Sequence, residues 1–299
     1  MISVIIPFYN EADSLPVLLK ELAPVLAAVK EDYELILVDD GSDDQVKLNI
    51  VPSPLTGKTK LIRQRRRFGK GQALQTGINH SRGDTIVFMD ADLQDDPHDL
   101  PRFLKQLDQG DDFVNGSRKI RQDNAVIKLY SRVANWLLQR ILHSPFSDIN
   151  CGYKAFRRVV FEETVFYANN FRFFPLVVSN RGFRVGEISV NNRVRQFGRS
   201  KFGQGKVLIG VFDTLTAYFI FRFSEAPLHF FGPIGGVIGL GGLIITGYLL
   251  VERLFFGALL YRRPLLQIGV LLIIVGIQIV MTGMIGELIV YLNKKHANL

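Results

Sequence analysis

Asp90 and Asp92 stand two apart in Met89-Asp90-Ala91-Asp92-Leu93-Gln94-Asp95, directly after the apolar run Ile86-Val87-Phe88-Met89. If that run is a buried strand, both carboxylates leave its end and can reach a common ion, with Gln94 close behind. Hard oxygen ligands of this type suit Mg2+ or Mn2+ bridging a diphosphate, and such an ion neutralises charge that builds on a departing nucleoside diphosphate. Two more polar clusters follow apolar runs in the same way: Pro7-Phe8-Tyr9-Asn10-Glu11, and Asp39-Asp40-Gly41-Ser42. In open parallel sheets, ligands bind at the carboxyl ends of the strands, so three such clusters would converge on one crevice. Asp39 and Asp40 keep two readings, as acceptors for a base or ribose or as the turn chemistry of Asp-Gly-Ser.

The elements needed to position these residues are present. Strand-like runs fall at residues 3–7, 34–39, 60–63, 85–90, 112–116 and 184–191, with helical stretches near 15–28, 71–79 and 100–109. Such alternation predicts an α/β domain with a mostly parallel sheet. The chain then changes character. Residues 228–251 and 265–286 contain no Asp, Glu, Lys or Arg, and each run exceeds the roughly 20 residues that cross a bilayer core. The short link between them predicts a transmembrane helical hairpin. Lys294, Lys295 and the basic stretch before Pro227 put both of its ends on the cytoplasmic side, against Arg253, Arg262 and Arg263 in the far loop. Residues 204–223 and 126–142 carry apolar stripes at helical spacing. Each could lie in the membrane interface or pack on the core, and the stretch joined to the first span favours the interface.

Charge is unevenly placed. Residues 1–115 hold 13 Lys and Arg against 19 Asp and Glu, and residues 116–206 hold 17 against 5. A basic lobe beside an acidic one suits a polyanionic substrate or an anionic lipid surface, and nucleic acid is not an expected partner. Arg118 ends one strand, Arg132 lies in the second amphipathic stretch, and Arg195, Ser200 and Lys201 precede the membrane segment. Arg holds phosphate oxygens through a planar fork and Lys as a point charge, so this set could hold a lipid phosphate. Residues 58–70 place seven basic side chains in 13 positions, a solvated or lipid-facing loop. The single cysteine, Cys151, excludes a disulfide framework. The N-terminus lacks the basic and small-residue features of a signal peptide, so the polar domain is expected in the cytoplasm.

Five segments in this order, SVIIPFYNE (3–11), LVDDGS (37–42), FGKGQAL (68–74), MDADLQD (89–95) and FGRSKFG (197–203), resemble the family 2 glycosyltransferases of GT-A fold. Within these the match is to the polyprenyl-phosphate group, which includes dolichol-phosphate mannose synthases. The resemblance implies that Pro7, Tyr9, Glu11 and Asp39 line the nucleotide, with Asp40, Lys70, Asp90 and Ala91 on the same donor side. It implies that Asp90 and Asp92, often with Gln94, hold the metal. Arg118 and Arg132 match arginines near the acceptor phosphate, and Arg195, Ser200 and Lys201 a late basic motif that closes over the phosphates. Asp148 matches an Asp proposed to face the acceptor. Three features depart from the pattern: Asp43-Asp44-Gln45-Val46-Lys47 after Ser42, Arg67 where Asn is common, and no Gln-x-x-Arg-Trp, since Trp136 is the sole Trp. The last makes a processive polysaccharide synthase an unsuitable reading.

The expected organisation is a GT-A domain over 1–203, a juxtamembrane amphipathic helix over 204–226 and a two-span anchor over 227–299. The expected reaction is inverting transfer of a hexose-type sugar from a UDP- or GDP-sugar to a polyprenyl phosphate at the cytoplasmic membrane face. A phosphate monoester needs little help from a base, so Asp95 and Asp148 need not be strong bases. Two alternatives stand beside this: a transferase acting on a sugar hydroxyl, for which Asp148 would be indispensable, and a non-catalytic anchoring subunit. Glycines in the first span would permit helix packing and a homo-oligomer.

Overall fold

The computed structural model describes residues 1–44, 52–118, 144–164, 170–193, 216, 218–219, 222–223, 225–257 and 264–297. Its elements run β1 (Ile2–Phe8), α1 (Ser14–Ala28), β2 (Tyr33–Asp39), α2 (Ser53–Thr56), β3 (Thr59–Arg63), α3 (Lys70–Asn79), β4 (Thr85–Phe88), α4 (Leu100–Asp108) and β5 (Phe113–Arg118). Then come β6 (Lys154–Arg157), α5 (Arg158–Glu162), α6 (Phe174–Asn180), β7 (Val185–Val190), α7 (Leu228–Phe256) and α8 (Pro264–Ala297). The chain divides into two compact units, Met1–Ile209 and Gly210–Leu299.

In the first unit seven strands form one mixed sheet in the order β3-β2-β1-β4-β6-β5-β7. Strands β3, β2, β1 and β4 are mutually parallel, β5 is parallel to β7, and β6 runs antiparallel to both of its neighbours. Every residue of β1 is buried, which explains its unbroken apolar run, because a central parallel strand is covered on both faces. Helix α1 covers one face with Leu15, Leu18, Leu19, Leu22 and Leu26, all fully buried at helical spacing; each contributes about 1.5–3 kcal/mol by leaving water. Helix α3 sits so close to β1 that a Cβ on Gly77 would lie 2.3 Å from the Ile5 side chain. That contact sets where the N-terminus of α3, and hence Lys70, meets the sheet edge.

All six expected strands and three expected helices are present. Strand β6 is the exception to legibility: Lys154-Ala155-Phe156-Arg157 is four residues long, shows no alternation and is buried at its first three positions. Around it Phe113, Phe156 and Phe174 form an aromatic cluster with centroids 5.3–5.9 Å apart.

In the second unit α7 and α8 are each long and apolar enough to cross a bilayer, with mean hydropathy 2.1 over Leu228–Phe256 and 2.5 over Pro264–Asn293. Only 17% of the apolar stretch of each helix is buried by protein, which sets them apart from the core helices of a soluble domain. They pack together through glycines: a Cβ on Gly235 would lie 2.6 Å from the Gly276 carbonyl, and one on Gly242 the same distance from the Gly269 carbonyl. Small residues allow such backbone approach where lipid offers no hydrophobic drive. The Leu228 N–H donates to Glu287 at 3.3 Å, so this carboxylate caps α7. The expected amphipathic stretches at 126–142 and, for the most part, 204–223 lie outside the described residues.

Candidate functional site

The loops after β1, β2 and β4 meet in a cleft of about 180 Å³ lined by Pro7, Phe8, Tyr9, Glu11, Asp40, Arg67, Lys70, Asp90, Ala91 and Asp92. Eight expected donor-side or metal residues (Pro7, Tyr9, Glu11, Asp40, Lys70, Asp90, Ala91 and Asp92) therefore share one crevice. Its loops are tied to one another by hydrogen bonds. Asn10, at φ 54°, donates its N–H to Ser42 Oγ at 2.9 Å and accepts from the Asp43 N–H at 2.9 Å. Tyr9 Oη donates to Asp43 at 3.1 Å, and Ser14 Oγ donates to Glu11 at 2.6 Å.

Asp39 and Asp40 differ in position. Asp39, buried, accepts the Ser42 N–H at 2.7 Å and lies 3.4 Å from Arg63 Nε, so it builds the turn and does not line the cleft. Asp40 does line it, and its carboxylate accepts the N–H groups of Phe68 at 2.7 Å and Gly69 at 2.9 Å. Gly69 has φ +102°, a conformation that favours glycine. Asp40 thus anchors the entry to α3. Beside it the Arg67 guanidinium stacks 4.3 Å from the Tyr9 ring centroid.

At the end of β4, Lys70 Nζ donates to Asp90 Oδ1. Burial raises the Asp90 pKa, but the Lys70 charge and hydrogen bond, with Lys154 and Arg118, outweigh it and hold the carboxyl below its ordinary value. Leu93 sits at φ 64°, strained for a branched residue; this kink turns the chain so that Asp95 Oδ2 accepts the Asp90 N–H at 3.0 Å. Asp95 is buried, and burial together with the Asp90 charge raises its pKa to about 7. The Gln94 N–H donates to Asp92 Oδ1 at 3.3 Å. Among the described residues no cluster of three or more Asp, Glu, His or Cys side chains forms a closed metal cage. Two carboxylates two positions apart, one held ionised, fit a hard cation that takes its remaining ligands from a substrate diphosphate and water.

A second wall, outside the cleft lining but set against Asp90, comes from residues 144–154. Arg118 Nε and Nη2 bind the Asp148 carboxylate at 2.7 and 3.2 Å, so a residue expected at the acceptor phosphate and one expected to face the acceptor are paired with each other. Gly152 lies against Asp90: a Cβ there would sit 2.3 Å from Asp90 Oδ2. Beneath this segment runs a row of polar side chains in cross-strand register, Lys154 on β6, Asn115 on β5 and Glu187 on β7. Lys154 Nζ donates to the carbonyls of Cys151 and Ile149, and Asn115 Nδ2 to that of Asp148 at 2.9 Å. Glu187 accepts from the Ser147 N–H at 2.9 Å, Ser147 Oγ at 2.6 Å and the Asp148 N–H at 3.2 Å. Burial lowers the Lys154 pKa to about 8 and raises that of the Cys151 thiol to about 12; Cys151 is inert as a nucleophile.

Gly152, Lys154, Asn115 and Glu187 do not stand out in the sequence as site residues. Their available signal was a polar side chain inside an otherwise apolar strand, as in Phe113-Val114-Asn115. Arg132, Arg195, Ser200 and Lys201 lie outside the described residues.

Known proteins share this architecture. Glucosyl-3-phosphoglycerate synthase from Mycobacterium tuberculosis, solved with Mn2+, UDP-glucose and phosphoglyceric acid, superposes with a TM-score of 0.59 at 20% identity, over 76% of this chain and 82% of that one. Its Mg2+ and UDP complex gives 0.58 at 20% identity, over 73% and 79%. A dodecaprenyl-phosphate galacturonate synthase from Rhizobium johnstonii is 32% identical across 96% of this chain and 87% of its own. An undecaprenyl-phosphate 4-deoxy-4-formamido-L-arabinose transferase from Photorhabdus laumondii is 33% identical across 96% and 88%. Residues 3–165, more than half of the chain, match the model of glycosyl transferase family 2, and the chain belongs to that family.

Proposed function

We propose that the enzyme transfers a hexose-type sugar from a UDP- or GDP-sugar to a polyprenyl phosphate, undecaprenyl or dolichyl, with inversion, at the cytoplasmic face of the inner membrane. The observation that carries this is the meeting of Asp90, Asp92 and Lys70 with Tyr9 and Glu11 in one cleft, in a chain whose relatives over nearly its whole length are named as polyprenyl-phosphate sugar synthases and transferases. Two apolar helices with little protein cover support a membrane anchor over 227–299, following a catalytic domain at 1–203 and an interface helix at 204–226.

In this reading Pro7, Tyr9, Glu11, Asp39 and Asp40 frame the nucleotide, directly or by holding its loops, and Lys70 is a cation at the diphosphate. Asp90 and Asp92, with Gln94 adjacent, would hold Mg2+ or Mn2+, which supplies positive charge at the leaving diphosphate. An acceptor phosphate oxygen attacks the anomeric carbon as the bond to the diphosphate breaks, and the electron pair leaves with the nucleoside diphosphate. The second phosphate pKa is about 6, so much of the acceptor is a dianion at neutral pH and no proton need be removed in that step. Arg118 would meet its charge, joined by Arg132, Arg195, Ser200 and Lys201. Asp95, held partly protonated by burial, braces the Asp90 N–H, a role that needs no base.

The test is transfer of radiolabelled sugar from a panel of UDP- and GDP-sugars to undecaprenyl phosphate in detergent. One donor is expected to give an organic-extractable, acid-labile product that EDTA abolishes. Binding of a nucleotide-sugar without any product would point to a hydroxyl acceptor, and no binding at all to a non-catalytic subunit.

A further inference from the structure

We propose that Glu187 is a positioning residue for the acceptor phosphate: through Ser147 and Asp148 it fixes the direction of the Arg118 guanidinium. The inference rests on the reading that Arg118 meets a phosphate. Glu187 lies on β7, three strands away from the strand end that carries Asp90 and Asp92 in sheet order β4-β6-β5-β7, yet its carboxylate takes both backbone N–H groups of the pair Ser147-Asp148 and the Ser147 hydroxyl. Asn115, its register partner on β5, holds the Asp148 carbonyl. The peptide around Asp148 is therefore gripped on both sides by strand residues, so its backbone has little freedom to rotate. The Asp148 side chain is buried, and besides both Arg118 contacts it accepts the Asn150 N–H at 3.2 Å. A carboxylate so committed orients a guanidinium better than it abstracts a proton. Arg118 presents the free part of its fork at 17% exposure, enough for one anionic group and too little for it to swing as a surface arginine does. Bidentate recognition depends on that aim, since an arginine loses much of its advantage over lysine once its plane is unfixed.

The grip is expendable for donor binding, because none of its members lines the donor cleft. It therefore makes a separable prediction. In the full-length protein, Glu187→Gln replaces a pure acceptor with a group that turns N–H donors toward N–H donors. The KM for polyprenyl phosphate is expected to rise about tenfold, while kcat stays within about threefold and donor affinity by calorimetry within about twofold. Ser147→Ala, which deletes the hydroxyl's bonds to Glu187 and Ser117 at an exposed residue and keeps the Ser147 N–H, should shift the acceptor KM in the same direction by about two- to threefold and guards against a misfolded Glu187 variant. Arg118→Lys should itself raise the acceptor KM, and adding Glu187→Gln to it should cost almost nothing more, because residues acting through one another are non-additive. An unchanged acceptor KM in both Glu187→Gln and Ser147→Ala, equal losses of donor and acceptor binding, or full additivity with Arg118→Lys would each overturn the assignment. Wild-type protein that binds donor but gives no product with polyprenyl phosphate would instead remove the underlying reading, and the assignment with it.

Discussion

The cleft's own wall and the second wall that abuts it at Asp90 are built by different means. On the donor side, β1, β2 and β4 end in loops whose side chains bond to residues close in sequence or on the next loop: Asp39 to Ser42, Asp95 to Asp90, Asp40 to Phe68 and Gly69. On the other side, the stretch 147–151 is held by Asn115, Arg118, Glu187 and Lys154, the first three of which lie thirty or more residues from Asp148 in the chain. The first wall is a set of strand-end loops tied to one another at a few points, the second a network assembled by side chains within the sheet. Loops held at a few points absorb a change locally, whereas a network transmits any change in one member to the others. Substitutions in the two walls should therefore fail in different ways.

The largest separation is expected between Asp92 and Asp148. Asp92→Asn removes a candidate metal ligand at the leaving group and should lower kcat by about 10²–10³ or more, the cost typical of losing charge stabilisation at a reacting centre. Asp148→Asn keeps a polar group at Arg118 and should cost at least tenfold less, chiefly in acceptor KM, with no acidic limb lost from the pH–rate profile. If Asp148→Asn were the more damaging and flattened that limb, the acceptor would be a hydroxyl that needs a base. The walls touch at Gly152, and this gives the next largest effect. Its Cβ position is 2.3 Å from Asp90 Oδ2, so Gly152→Ala must displace the carboxylate or the loop by most of an ångström. Activity should fall about 10²-fold, as misplacement of that size does in preorganised sites, while nucleotide alone still binds. Steady-state kinetics with a Mn2+ titration would show it, and unchanged metal dependence would mean that the loop, not Asp90, yields.

These differences also explain what could be read from the chain beforehand. Strands β1, β2 and β4 were legible because parallel strands buried on both faces leave nearly unbroken apolar runs, and the donor wall because its chemistry lies at their ends. Asp39 shows the limit of that logic: adjacent in sequence to Asp40, it points into the turn while Asp40 faces the cleft, a consequence of the alternation of side chains along an extended chain. Strand β6 and the grip on residues 147–151 were illegible because Asn115, Lys154 and Glu187 each look like an isolated polar residue until the sheet places them in one register. Gly152 was hidden for a similar reason, since a glycine that makes room for a carboxylate 62 positions away has no local signature.

The smallest effect concerns stability and the middle of that grip. Lys154 is 4% exposed, and burial lowers its pKa from 10.5 to about 8. Below pH 8 both the folded and the unfolded chain carry the proton, and the folded domain bears the full cost of a buried ammonium. As pH rises from 8 toward 10.5 the folded state releases the proton first, so the unfolded state binds more and folding stability increases, by about 3 kcal/mol over the whole window. Cys151 acts the other way: its thiol rises from 9.0 to about 12, so above pH 9 the unfolded chain loses that proton first and stability declines. The net gain in the wild type should therefore appear between about pH 8 and 9 and level off above it. Lys154→Met removes the first contribution and leaves the second. Thermal melts in detergent across pH 7–10 should show the variant falling steadily relative to wild type as pH climbs past 8. Parallel curves for the two proteins would mean that water reaches the Lys154 ammonium in solution, and that residues 147–151 are held by Asn115 and Glu187 without it.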